Sequence, residues 1–343
     1  MCDETTEAEN EAYLAKTRSP QEPAGPLPAS RELDRRQMGI GTGAALAALL
    51  TGCGAPARPS RAPDEAGSKS AGAPPQAPPP DAAATEPAQA MQENASPSAT
   101  VDRAVTIPTP DGEAEAFFVA PKSGRHPGVL LWPDVAGLRD AYRQMATRLA
   151  GAGYAVLVMN PYYRATKLPL FTAFTEWQAP QGKARVRPMR EALTPDAITR
   201  DAIAFVRWLD RRPEVDPERQ LATIGYCMGG PFTFRTAAAA PERVGVLASF
   251  HGGGLVTEDA ESPHALLERI DAAALICIAQ NDDEREPEAK HELRTAAEKA
   301  GVPAEIEVYP AQHGWCTLDA PVYDEEQAER AWARMLATFE RHL

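Results

Sequence analysis

From Val101 to the end of the chain, apolar runs alternate with amphipathic stretches, and that pattern predicts most of the elements. Val105-Thr106-Ile107 and Ala116-Phe117-Phe118-Val119 flank Asp111-Gly112, which predicts a β-hairpin. Residues 128–132 and 154–159 are short apolar runs of the kind found in buried strands. Between them, Leu138, Tyr142, Met145, Ala146 and Leu149 fall near helical spacing, and Gly151 and Gly153 close that helix. Residues 160–192 show little periodicity and read as a long, functional loop. Thr194-Pro195 then opens a helix whose apolar face is Ile198, Ala202, Phe205, Val206 and Leu209. Further strands are expected at 221–225, 244–250, 274–279 and 304–309, and further helices at 228–240, 287–300 and 324–342. The repeated β-α-β order implies the α/β class. Its sheet is mostly parallel with helices on both faces, and it binds ligands at the carboxyl ends of its strands.

Composition limits this domain to residues 101–343. Residues 54–100 are dominated by Pro and Ala, with Met91 the one large apolar side chain, and such a stretch reads as a disordered linker. In the leader, residues 1–53, Arg35-Arg36 precedes an uncharged run that ends in Leu50-Thr51-Gly52-Cys53. That order is similar to a twin-arginine signal joined to a lipidation box. It implies export to the cell envelope and a membrane anchor on Cys53. The alternative is a cytoplasmic protein with a weakly helical Ala/Gly stretch in a disordered leader. Asp3, Glu4, Glu7, Glu9 and Glu11 favour that alternative, because the start of a signal should be short and basic. A net charge of -13 without a Lys/Arg cluster argues against a nucleic-acid partner. The five cysteines show no C-x-x-C pair or metal-ligand spacing, so neither a disulfide framework nor a metal site is implied.

Candidate chemistry centres on Gly225-Tyr226-Cys227-Met228-Gly229, a G-x-C-x-G sequence between an expected strand and an expected helix. It has the form of a nucleophile elbow with Cys in place of Ser, and its glycines are needed where the strand turns sharply into the helix. An α/β-hydrolase fold supplies the acid and the His later in the chain, in that order. Asp282 follows the strand at 274–279, with Asp283 beside it as a second candidate, and His313 follows the strand at 304–309. Cys227, Asp282 and His313 are therefore the candidate triad, in which a nearby His313 would favour the thiolate as an ion pair. His251 follows the strand after the elbow and reads either as a pocket residue or as a structural His. Cys316 raises the thought of a resolving thiol, and Cys277 reads as core.

Over nearly all of 101–343 the chain resembles the dienelactone hydrolase family. The resemblance rests on Gly-Tyr-Cys-Met-Gly-Gly at 225–230, on 128–131 leading into Asp134-Val135-Ala136-Gly137-Leu138, on Ala152-Gly153-Tyr154, and on His-Gly-Trp at 313–315. It implies a hydrolase without metal or cofactor, acting on a small ester or lactone. Cys227 would attack the carbonyl, His313 would shuttle the proton and Asp282 would orient it. The backbone N–H groups of Val135 and Met228 would hold the oxyanion. Asp134 stands where the family places a glutamate against the resting thiol, and reads either as an activating group or as pocket wall. Arg164 falls where the family grips a substrate carboxylate, and reads either so or as a surface arginine. A second such arginine is replaced by Thr317. Two other functions stay open: a broad carboxylesterase unrelated to dienelactone, and a non-catalytic envelope binding protein with the same fold.

Overall fold

Successive residues of a strand face opposite ways, so a strand buried on both sides must be apolar at every position. Gly128–Trp132 (β3) meets that condition in a computed structural model that describes residues 4–17 and 99–343. Val129 and Leu131 pack into one apolar layer, and Leu130 and Trp132 into another. The hairpin of Thr100–Thr109 (β1) and Gly112–Pro121 (β2) is antiparallel, with Pro110 and Asp111 at its turn. Ala155–Met159 (β4) pairs antiparallel with β2 and parallel with β3. Leu221–Tyr226 (β5), Val244–Phe250 (β6), Ala273–Ala279 (β7) and Ala304–Tyr309 (β8) extend the sheet in parallel. The strand order is β1-β2-β4-β3-β5-β6-β7-β8, an α/β-hydrolase sheet.

Asp140–Gly151 (α2) and the C-terminal helix share the layer with Val129 and Leu131. Pro195–Leu209 (α5) covers the other face. Thr194 caps α5 as expected, its side chain accepting from the Ala197 N–H. The last helix runs over Glu325–His342 (α10), one residue later than expected, because Asp324 serves as its N-cap and accepts from the Gln327 N–H.

Three regions depart from the expectation. Residues 160–192 hold two helices, Phe174–Gln178 (α3) and Pro180–Glu191 (α4). Only Gly182 and Val186 of α4 are buried, so its apolar periodicity is too sparse to read. Between β6 and β7 lies the short helix Pro263–Leu266 (α7). The helix expected at 287–300 runs over Ala289–Ala300 (α9), and a short helix that was not expected, Gln280–Arg285 (α8), precedes it, so that Asp282 sits in the first turn of α8 instead of in a loop. The leader contributes Glu4–Thr17 (α1), a helix the pattern did not predict. The linker and the segment around Cys53 lie outside the described residues.

Candidate active site

The elbow is built by close backbone approach. β5 ends at Tyr226, Cys227–Gly229 form one 3-10 turn, and Gly230–Ala239 (α6) follows at once. Cys227 has φ +52°, a left-handed conformation that costs a side-chain-bearing residue about 1–3 kcal/mol. A Cβ on Gly225 would strike the Gly229 carbonyl, and one on Gly229 would strike the Trp132 carbonyl at the end of β3. That second contact brings the loop after β3 against the elbow, so Val135 and Met228 meet Cys227 in one apolar cluster. Tyr162 ties them together, its hydroxyl lying 2.8 Å from the Val135 carbonyl oxygen and 3.2 Å from the Met228 sulfur.

The structure brings His313 and Asp282 to Cys227. The loop after β8 is held by the His313 N–H, which donates to Asn281 Oδ1 at 2.8 Å. The imidazole then lies with Nδ1 2.6 Å from Asp282 Oδ2 and a hydrogen bond to the Cys227 side chain. The remaining Asp282 oxygen accepts from Arg285 at 2.8 Å. Asp283 points elsewhere, to Lys290 at 2.7 Å, so of the two neighbouring acids it is Asp282 that meets the His. Burial lowers the His313 pKa, but Asp282 and Cys227 outweigh it and push it up to about 10. The ring is thus held toward its protonated form beside the Cys227 sulfur.

Asp134 is almost wholly buried and lines the same cavity as Cys227. Its carboxylate is gripped at both oxygens by Arg139, at 2.8 and 2.9 Å, and one oxygen also accepts from the Ala136 N–H. Burial raises the Asp134 pKa and Arg139 opposes that rise. Arg139 was not singled out from the sequence, where nothing distinguishes it from other arginines five residues past an acid. It also holds Asp319 at 2.7 Å, and so links the loops after β3 and β8.

Arg164 is placed differently from the family expectation. Its guanidinium pairs with Asp111 at 2.6 Å and Asp201 at 2.7 Å, outside the residues that line the Cys227 cavity. The cause is Asp201, a buried acid on α5 that requires a counter-charge. Thr317 is buried in the cavity wall, leaving that position neutral. His251 also lines the cavity, its ring 5.1 Å from His313 and 5.0 Å from Trp315. Cys316 opens instead on a separate hollow beside Tyr226 and Phe250, and Cys277 is core. Among the described residues, no group of three His, Cys, Asp or Glu side chains converges as metal ligands do.

The cavity over the thiol measures about 30 Å³. Part of its wall comes from α1, through Thr6, Glu7, Asn10, Glu11 and Leu14, none of which the sequence marked as site residues.

A model of the dienelactone hydrolase family matches residues 114–343. A Synechocystis protein provisionally named carboxymethylenebutenolidase is 25% identical over 244 residues, 70% of this chain and 96% of that one. The carboxymethylenebutenolidase of Rhodococcus opacus is 27% identical over 221 residues, 63% of this chain and 81% of its own. Among solved structures, a dienelactone hydrolase-like promiscuous phosphotriesterase from metagenomic libraries superposes with a TM-score of 0.56 at 24% identity, covering 71% of this chain and 99% of that one.

Proposed function

This chain belongs to the dienelactone hydrolase family, and from that premise we propose that it hydrolyses a lactone, ester or thioester through a thioester intermediate on Cys227. The observation that carries the reading is the Cys227–His313–Asp282 chain of hydrogen bonds, mounted on a positive-φ elbow. In this reading the Cys227 sulfur, as the thiolate paired with protonated His313, attacks the carbonyl carbon, and the oxyanion is met by the Val135 and Met228 amides, a contribution of about 3 kcal/mol per donor. The C–O bond then breaks, the leaving oxygen takes the proton from His313, and the acyl group stays on sulfur. Water gives a proton to His313 and attacks the thioester, releasing the acid and returning the proton to the pair. Asp282 keeps the ring oriented through Nδ1.

For substrate choice, the engagement of Arg164 by Asp111 and Asp201 and the neutral Thr317 favour broad esterase activity over a requirement for a carboxylate at those two points. Export and lipidation at Cys53 form a separate part of the reading, supported by Arg35-Arg36 and the Leu50-Thr51-Gly52-Cys53 sequence. Among the described residues no helix is long and apolar enough to cross a membrane.

The test is p-nitrophenyl acetate turnover, with the acylated residue mapped by mass spectrometry under quenched conditions. An acetyl group on Cys227 and loss of turnover in Cys227→Ala are expected. Undiminished turnover by Cys227→Ala would overturn the reading.

A further inference from the structure

We propose that α1 is a built-in inhibitory cap, which seals the thiol cavity in the full chain and must move away before a substrate can enter. The proposal rests on the hydrolase reading for its turnover readout alone. Space is the first argument. A volume of about 30 Å³ holds a water molecule, whereas pockets for small organic ligands run from about 300 Å³ upward. With α1 in place Cys227 is 2% exposed and His313 2%. A substrate-sized groove of about 760 Å³ lies next door, lined by Val135, Trp177 and the basic face of α4. Glu7 and Trp177 border both spaces, so the α1 side chain stands in the partition between groove and thiol. Glu7 is held there by an ion pair with Lys183 of α4.

The docking contacts are the second argument, because they fall on the loops that carry the reacting groups. Asn10 donates to the His313 carbonyl at 2.9 Å. Glu9 accepts from the Asn281 amide at 3.1 Å, and the other end of that same amide holds the His313 N–H. Thr6 accepts from Arg285 at 2.7 Å, and Arg285 in turn holds Asp282. These are polar, water-replaceable contacts, and α1 presents no apolar stripe. A cap bound this way closes the site yet can leave it.

The leader gives the cap a release route. On the proposed export path, a signal peptidase hydrolyses the Gly52–Cys53 amide with one water, separating residues 1–52 from the hydrolase. The cap then becomes a free peptide and loses the high effective concentration that covalent linkage supplies. The chain would travel closed and become open at its destination.

The experiment uses the full chain and two variants that leave the reacting groups untouched. Ala8→Pro breaks α1 at an exposed position, and Glu9→Ala/Asn10→Ala removes two of its docking contacts. Iodoacetamide labelling of Cys227, followed at that residue by peptide mapping so that Cys2 and Cys53 do not contribute, reads access directly. Labelling in both variants should accelerate about tenfold or more, as the open fraction rises, with p-nitrophenyl acetate kcat/KM rising in parallel. Unchanged labelling in both variants, with the native circular dichroism spectrum, overturns the cap. Faster labelling without ester turnover in any of the three proteins keeps the cap and removes the hydrolase reading. Equal labelling with equal turnover in all three does the reverse.

Discussion

Arg139→Ala isolates the buried ion pair that holds Asp134 in the wall of the Cys227 cavity. The Arg139 side chain is 0% exposed, and its guanidinium meets both oxygens of Asp134, itself 1% exposed. Asp319, at 27%, can turn to water when the arginine is lost, but Asp134 cannot. Leaving a buried carboxylate without its partner costs about 3–5 kcal/mol where the group must stay ionised. The acid can escape by taking a proton, so the deficit must depend on pH. An Asp whose folded pKa lies above its unfolded value of about 3.9 binds the extra proton in the folded state, and between those two pKa values stability falls by about 1.4 kcal/mol for each unit of rising pH. The variant is therefore closest to wild type in mild acid and furthest from it above neutrality. Urea unfolding at about pH 5 and about pH 8 reads this difference. Adding Asp134→Asn should recover most of the loss at about pH 8, since the buried charge is then gone. An equal deficit at both pH values, with no recovery in the double variant, would show that Arg139 matters for packing and not for charge.

Gly229→Ala should destabilise by about 1–3 kcal/mol and abolish turnover together, since the new methyl would strike the Trp132 and Pro133 carbonyls, which are backbone and cannot yield; a thermal melt and an ester assay read both effects. His313, raised to about 10 in the fold, contributes stability that is complete below its unfolded value of about 6.5 and is lost as pH rises through about 10. Asp282→Asn should flatten that loss in urea midpoints taken across the range, and a slope unchanged from wild type would detach Asp282 from the His313 charge. Cys53→Ser should move the protein out of the membrane fraction, and an unaltered distribution would remove the lipid anchor from the proposal.

The strands and the elbow were legible in the sequence because each rests on a strictly local rule. β3, β4 and β5 are buried on both faces and therefore apolar at nearly every position. The elbow needs glycine at 225 and 229 because backbone crowds both positions, which leaves a pattern any reader of the chain can see. The meeting of Asp282 and His313 beside the elbow was legible for a related reason, since the fold delivers loops after β7 and β8 to the same end of the sheet as the elbow. Choosing between Asp282 and Asp283 was beyond local rules. That choice depends on the start of α8, which turns one acid toward His313 and the other toward Lys290.

What escaped the sequence was recognition between polar surfaces. Arg139, Arg164 and α1 all reach partners well removed along the chain: Asp319 lies 180 residues from Arg139, and His313 lies 303 from Asn10. A hydrogen-bonding side chain has no periodicity that foretells its partner, and the same Asn or Glu would suit a solvated leader equally well. The acids ahead of Arg35-Arg36 thus looked like an obstacle to the export signal, whereas two of them, Glu7 and Glu9, are docking groups on the hydrolase surface. The two readings need not compete. In the proposed scheme the first part of the leader caps the site and the second addresses the chain for export, and the contacts of Glu7 and Glu9 give acids ahead of the paired arginines a role.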